Sequence, residues 1–199
     1  GGTGASAVID TIQIGSLGNA VDFGDLTAVV QHPAGLCSLT RGVFNICQNS
    51  SVAIDFISIA SAGNASDFGD ATASGTQSTG SSHAHGGIDE FFPRAPELYS
   101  PTGKVVPRGG GVGNIGVSMG RQDDSNSNTM GFITISTTGN EVDFGDATVV
   151  GYAGAIGSKG GSTRGISSMS GSPGTEGELD YINYHTKGNA SSFGNLSSN

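Results

Sequence analysis

Four short stretches of this chain alternate apolar and polar residues: "DTIQI" at 10–14, "DFISI" at 55–59, "GFITI" at 131–135 and "DYINY" at 180–184. In them Ile12 and Ile14, Ile57 and Ile59, Ile133 and Ile135, and Ile182 and Tyr184 recur at period two, with Gln13, Ser58, Thr134 and Asn183 between them. Successive side chains of a strand point to opposite faces, so the pattern predicts four strands, each with one buried face. Each stretch is followed by a glycine-asparagine phrase: "GNAVDFGD" at 18–25, "GNASDFGD" at 63–70, "GNEVDFGD" at 139–146 and, in weaker form, "GNASSFGN" at 188–195. Five positions lead from the second apolar residue to the asparagine (Asn19, Asn64, Asn140, Asn189), and four more lead to the phenylalanine (Phe23, Phe68, Phe144, Phe193), in every copy. A module without gaps predicts one backbone shape used four times. Glycine and asparagine tolerate positive φ, so the pair reverses the chain and the phenylalanine returns to the core.

The phenylalanines lie 45, 76 and 49 residues apart. A second element recurs within that period, as "GLCSLTRGVF" at 35–44, "GSSHAHGGI" at 80–88 and "AIGSKGGSTRGI" at 155–166. Each full unit therefore offers about four short antiparallel strands joined by Gly/Ser turns, over a length that matches one β-propeller blade. The chain divides as one repeat domain into a half unit, 1–26, and three units, 27–71, 72–147 and 148–199, the middle one carrying an insertion near 88–111. Three and a half units do not close a ring readily. That leaves an open stacked array, sheets completed by partner chains, or a piece of a longer array; the leading Gly1-Gly2 pair reads as the tail of a missing half unit.

Composition points the same way. Glycine fills 35 of 199 positions, charged residues only 13%, and tryptophan is absent. A glycine inside a helix costs about 1 kcal/mol relative to alanine, so a helical bundle is disfavoured and an all-β chain expected. Acidic residues outnumber basic ones 17 to 8, for a net charge of -9, which argues against a nucleic-acid partner. No apolar run reaches the length of a membrane span, so no membrane insertion is expected. Cys37 and Cys47, without further thiols for a zinc site, are either two free thiols or a bridge between neighbouring strands.

Candidate chemistry is thin. Asp22 with Asp25, Asp67 with Asp70, and Asp143 with Asp146 could offer oxygen ligands to calcium, but the fourth copy has Ser192 and Asn195 there and keeps the glycines and the phenylalanine. What persists is turn chemistry, so side-chain hydrogen bonding to turn amides is the favoured reading, with no metal and no cofactor. "DFG" occurs three times without the other parts of a kinase, "GVGNIG" at 111–116 lacks a following helix, and "GVSMG" around Ser118 lacks the strand-to-helix turn of a nucleophile elbow. His83 and His85 would point to one side of a strand, with no third metal ligand beside them. A glycan-cleaving enzyme would need paired acids; the nonrepeated acids of the middle unit are Glu90, Glu97, Asp123 and Asp124. The insertion "IDEFFPRAPELYSPTGKVVPRGGG" at 88–111 has no counterpart elsewhere in the chain. Long loops on a regular scaffold commonly carry recognition, which makes Phe91, Phe92, Arg94 and Tyr99, with His83 and His85, the candidate binding residues.

The phrase "GNxxDFGD(L/A)T" after an "IDxIxI" strand, followed by "CSxxTRGVF" or a "HGG" step, resembles repeats of virion structural proteins of marine cyanobacterial phages and related viruses. More distantly the unit is similar to kelch-type blades. The resemblance implies a non-enzymatic tail-fibre or decoration component on the virion surface, outside the cell, that mediates host attachment. Its partners would be other virion proteins, copies of itself, or a host-surface glycan. The alternative is a purely structural assembly protein that oligomerises through sheet edges and the aromatic insertion.

Overall fold

The protein is described here by a computed structural model that covers residues 4–46, 51–75, 79–83, 114–119, 127–150, 158–160, 163–169 and 177–197. Among these residues the chain is all β, in four antiparallel sheets and without a helix. The first sheet pairs β1 (Ser6–Thr11) with β2 (Val21–Val30). The second is a meander of β3 (Ala34–Cys37), β4 (Arg41–Asn45), β5 (Ala53–Ser58) and β6 (Ser66–Asp70). The third runs through β7 (Thr79–Ser82), β8 (Ile115–Met119), β9 (Thr129–Thr134) and β10 (Val142–Asp146), and the fourth through β11 (Ser158–Gly160), β12 (Arg164–Met169), β13 (Glu178–Asn183) and β14 (Ser191–Asn195). The described residues do not form a closed ring of sheets.

The repeated "FGD" phrase makes one local structure. In all four sheets the register of the last strand slips at the phenylalanine: Asp10 faces Asp22 while Ile9 faces Gly24, Asp55 faces Asp67 while Ile54 faces Gly69, and the same step occurs at Phe144 and Phe193. Each phenylalanine is thus the extra residue of a β-bulge. The glycine that follows adopts φ of 150° at Gly24, 148° at Gly69, 143° at Gly145 and 141° at Gly194, a backbone that a residue with a Cβ rarely reaches. The bulge leaves the phenylalanine carbonyl outside the ladder.

The hydrophobic cores lie between consecutive sheets. One joins Ile9, Leu26 and Val30 of the first sheet to Ile46, with Phe44 and Ile57 packed against them. The next joins Leu36, Val43, Ile54 and Phe68 of the second sheet to Ile133 and Ile135 of the third. The last joins Val117, Met119, Met130 and Phe144 of the third to Ile182, Tyr184 and Ala190 of the fourth. The second, third and fourth sheets are therefore each covered on the alternating face of the third strand by the sheet before them.

That arrangement corrects the expectation of four buried faces. Ile133 and Ile135 are 4% and 0% exposed and Ile182 and Tyr184 2% each, but Ile12 is 64% and Ile14 93% exposed, and β1 stops at Thr11 short of both. No sheet precedes the first one among the described residues, so nothing covers them. Ile59, preceded only by a two-stranded sheet, is intermediate in the series at 47%.

The buried series predicts an asymmetric response to truncation. Ile135→Ala should cost about 2–5 kcal/mol in urea denaturation, whereas Ile14→Ala should stay within about 0.5 kcal/mol of the parent. Equal costs would mean that the cores do not lie between the sheets.

Candidate functional site

Among the described residues the most elaborate polar structure is the seam where one repeat meets the next, and it occurs there three times. The outer strand of each sheet presents the carbonyl of the bulged phenylalanine and both main-chain groups of the aspartate two residues on. The Gly-Asn turn of the following repeat pairs with all three. Gly63 N donates to Phe23 O at 2.7 Å, Ala65 N donates to Asp25 O at 2.8 Å, and Asn64 Oδ1 accepts from Asp25 N at 3.1 Å. Gly139, Glu141 and Asn140 repeat this on Phe68 and Asp70, and Gly188, Ala190 and Asn189 on Phe144 and Asp146. The asparagine is thus not a local turn cap: its amide oxygen stands in for a missing main-chain acceptor of the neighbouring repeat and covers an edge that would otherwise be open.

The bulge glycine is required by this approach. A Cβ on Gly24 would lie 2.3 Å from Gly63 O, on Gly69 2.5 Å from Gly139 O, and on Gly145 2.5 Å from the Gly188 carbonyl. The turn glycines Gly63, Gly139 and Gly188 sit at φ of 154°, 156° and 148°, while Gly18, which docks on nothing, does not take up that conformation.

A buried carboxylate completes each seam. Asp55 Oδ2 accepts from Thr27 N at 2.7 Å and its Oδ1 from the Thr27 hydroxyl at 2.8 Å; Asp180 holds Thr148 in the same way at 2.8 and 2.5 Å. Asp55 and Asp180 are wholly buried. In the third repeat Gly131 stands where an aspartate would be, and Glu141, in place of the alanine of the other turns, supplies the group instead. Its Oε2 accepts from Thr72 N at 2.9 Å and from the Thr72 hydroxyl at 3.2 Å, and its Oε1 accepts from the Ser118 hydroxyl. A Cβ on Gly131 would lie 1.9 Å from the Glu141 carboxyl carbon, so the longer side chain occupies the volume vacated by the shorter one.

Cations dress the other face of the sheets. The Arg41 guanidinium lies 4.8 Å from the Phe56 ring centre and that of Arg164 5.3 Å from Tyr181, which explains the recurrence of Thr-Arg-Gly. The third sheet has Ile115 in that register, and Lys187 from the next repeat covers Phe132 at 4.6 Å. Arg41 also donates to Ile135 O at 3.0 Å, a further link across a seam.

The sequence-predicted residues fall in different places. Phe68 and Phe144 are buried, Phe23 is half-buried and Phe193 is 54% exposed. Asn64, Asn140 and Asn189 are in the seams and Asn19 is exposed. His83 is buried at the end of β7; its Nδ1 accepts from Ile115 N at 3.0 Å, and its ring lies 5.8 Å from those of both Tyr184 and His185. The Tyr184 hydroxyl meets that of Ser81. His85, Phe91, Phe92, Arg94 and Tyr99, the whole insertion, the acids Glu90, Glu97, Asp123 and Asp124, and Cys47 lie outside the described residues, while Cys37 is exposed. Ser118 is buried in mid-strand and bonded to Glu141, a scaffold position. Among the described residues no group of His, Cys, Asp and Glu is arranged to hold a metal ion. Asp55, Glu141 and Asp180 were not singled out in the sequence; the one available signal was that glycine replaces aspartate at 131 in the repeat whose turn carries glutamate.

Between the first two sheets a cleft of about 470 Å³ opens, lined chiefly by Ile9, Phe23, Leu26, Phe44, Ile57 and Ile59. In the later cores the third-strand residues cluster with side chains of a four-stranded sheet, as Ile133 and Ile135 do with Leu36, Val43, Ile54 and Phe68, whereas only β1 and β2 are described in the first sheet. The cleft is thus an incompletely filled core. Comparison with models of known protein families and with curated proteins found no match.

Two outcomes follow from these contacts. Glu141→Ala, which strips Thr72 and Ser118 of a buried acceptor, should cost about 1–3 kcal/mol, and Gly131→Asp alone should also destabilise by crowding two carboxylates. The double variant rebuilds the Asp55 arrangement and should recover most of both losses in a denaturation double-mutant cycle; strict additivity would refute the exchange. Burial holds the His83 imidazole below its ordinary 6.5, outweighing the Ile115 carbonyl oxygen 3.3 Å from Nδ1, which favours the protonated ring, and His185 lowers it further. The unfolded chain then takes up that proton first, so the contribution is intact above about pH 6.5 and is lost as pH falls below it. His83→Gln should flatten the decline of melting temperature between about pH 7 and 5; an unchanged slope would place its origin elsewhere.

Proposed function

We propose that the chain is a non-enzymatic structural protein of a particle surface, a kelch-like repeat array serving as a fibre or decoration component that presents attachment loops to a host. One observation supports this reading above the others: the buried carboxylates among the described residues, Asp55, Glu141 and Asp180, each bind a threonine in or just beyond the last strand of the preceding sheet. Polar groups that in an enzyme would face a substrate here fasten one repeat to its neighbour. The stacked sheets suit an open array or an arc of propeller blades, with stability accumulating seam by seam as in other repeat proteins. The similarity of the repeat phrase to virion structural proteins supplies the setting, a virion surface outside the cell, and the acidic surface suits protein or glycan partners.

Attachment would reside in the insertion, with Phe91, Phe92, Arg94 and Tyr99 as its contact residues. A second reading, pure assembly, is favoured by the exposed apolar residues Ile12 and Ile14 of the first repeat and Phe193 and Leu196 of the last among the described residues. Glycan-array and host-cell binding by the purified chain separates them. Attachment predicts saturable binding that falls at least about tenfold in a Phe91→Ala/Phe92→Ala variant of unchanged melting temperature. Absence of binding to any glycan or cell surface would leave the assembly reading alone.

A further inference from the structure

The three seams define what each side of a repeat junction needs, and among the described residues the first and last sheets carry the two unmatched halves. On the following side a junction uses a Gly-Asn turn, a carboxylate that comes either from the residue after the asparagine (Glu141) or from ten positions before that residue (Asp55, Asp180), and two apolar residues on the third strand. At the first repeat these are Gly18, Asn19, Ala20, Asp10, Ile12 and Ile14, all exposed. On the preceding side it requires a bulged phenylalanine, a glycine whose missing Cβ leaves room for the next turn, an outward-facing main-chain pair and a hydroxyl residue two positions further on. At the last repeat these are Phe193, Gly194, Asn195 and Ser197, with Leu196 between. Gly194 keeps φ of 141° although a Cβ there would meet nothing within 4 Å, whereas the same addition at Gly24, Gly69 or Gly145 would strike the next repeat.

Exposure marks the same surfaces. Phe193 is 54% and Leu196 56% exposed, while their counterparts Phe68, Phe144, Leu26, Ala71 and Ala147 are all buried. Asn195 occupies the register of Asp70 and Asp146, opposite Glu178 as Asp70 is opposite Ala53, so its main-chain groups face the uncovered edge. The substitution of Ser192 and Asn195 for aspartates changes nothing that a seam uses, because the seam takes main-chain atoms at the second of these positions and leaves the first side chain exposed in each copy.

We infer that the first repeat of one molecule docks on the last repeat of a second copy of this chain, forming a fourth seam of the same kind. Gly18 N would donate to Phe193 O, Ala20 N to Asn195 O and Asn195 N to Asn19 Oδ1. Asp10 would accept from the amide and hydroxyl of Ser197, and Ile12 and Ile14 would cover Phe193 and Leu196. Docking carries β1 beyond Thr11 to Gln13, the position equivalent to Ser58, Thr134 and Asn183 at which β5, β9 and β13 end, and turns Gly18 into the conformation of Gly63, Gly139 and Gly188. The contact is heterologous, each molecule using a different end, so successive copies add in series.

The inference rests on the scaffold reading and is tested apart from it. Sedimentation velocity over a concentration series should show the parent chain as a ladder of oligomers. Asp10→Lys buries an unpaired cation in the seam, and Ser197→Pro removes its amide and hydroxyl donors; both positions are exposed in the single chain, so melting temperatures should not move. Each variant alone should be monomeric, with the association weakened at least about tenfold, and an equimolar mixture should stop at a dimer formed through the one intact pair of ends. Asn19→Ala should weaken the parent ladder in the same direction. A parent chain that stays monomeric throughout, or an Asp10→Lys chain that forms the parent ladder, overturns the inference; neither result bears on glycan binding, which has its own assay.

Discussion

Everything in this molecule depends on an edge strand being covered by the next repeat. A four-stranded meander of short, glycine-rich strands has little to bury within itself, and its outer strand exposes main-chain groups that invite pairing. Here the Gly-Asn turn of the following repeat supplies that pairing, and the third strand of the following sheet supplies the apolar cover. The core consequently belongs to pairs of repeats. Exposure therefore rises toward the ends: Ile135 is fully covered, Ile59 partly, and Ile14 almost not at all.

The bulge at the phenylalanine connects local and tertiary structure. By inserting one residue, it takes the Phe23, Phe68 and Phe144 carbonyls out of the ladder and offers them to the neighbouring turn. The glycine after it is required twice over, by its own φ and by the carbonyl that rests against its Cα. The aspartates that make the phrase conspicuous do less than their charge suggests. Their amides and carbonyls make the seam, which explains why a copy with serine and asparagine retains the bulge.

The carboxylate that binds the threonine shows how a buried polar position can be conserved in function while its residue moves. Asp55 and Asp180 reach it from the third strand, and Glu141 reaches it from the turn over a glycine that leaves room. A buried carboxylate requires hydrogen-bond donors, and a threonine offers an amide and a hydroxyl in one direction. The geometry thus constrains where the oxygens are and leaves open which backbone position carries them.

The all-β class, the period and the four-stranded unit were legible in the sequence, because side-chain alternation and glycine turns are local properties of the chain. Ile133, Ile135, Ile182 and Tyr184 were correctly read as a buried face from period two alone. The same reading failed for Ile12 and Ile14, since alternation says which side a residue faces and not whether another sheet lies there. The asparagines were recognised as turn residues, yet the atoms bonded by Asn64, Asn140 and Asn189 lie 39, 70 and 43 positions away, a relation that only the stacking of sheets creates. The sequence by itself determined which backbone shapes repeat, through glycine's freedom and the pleat of a strand. Only the tertiary structure decided which repeat completes which, because that depends on neighbours brought together in space.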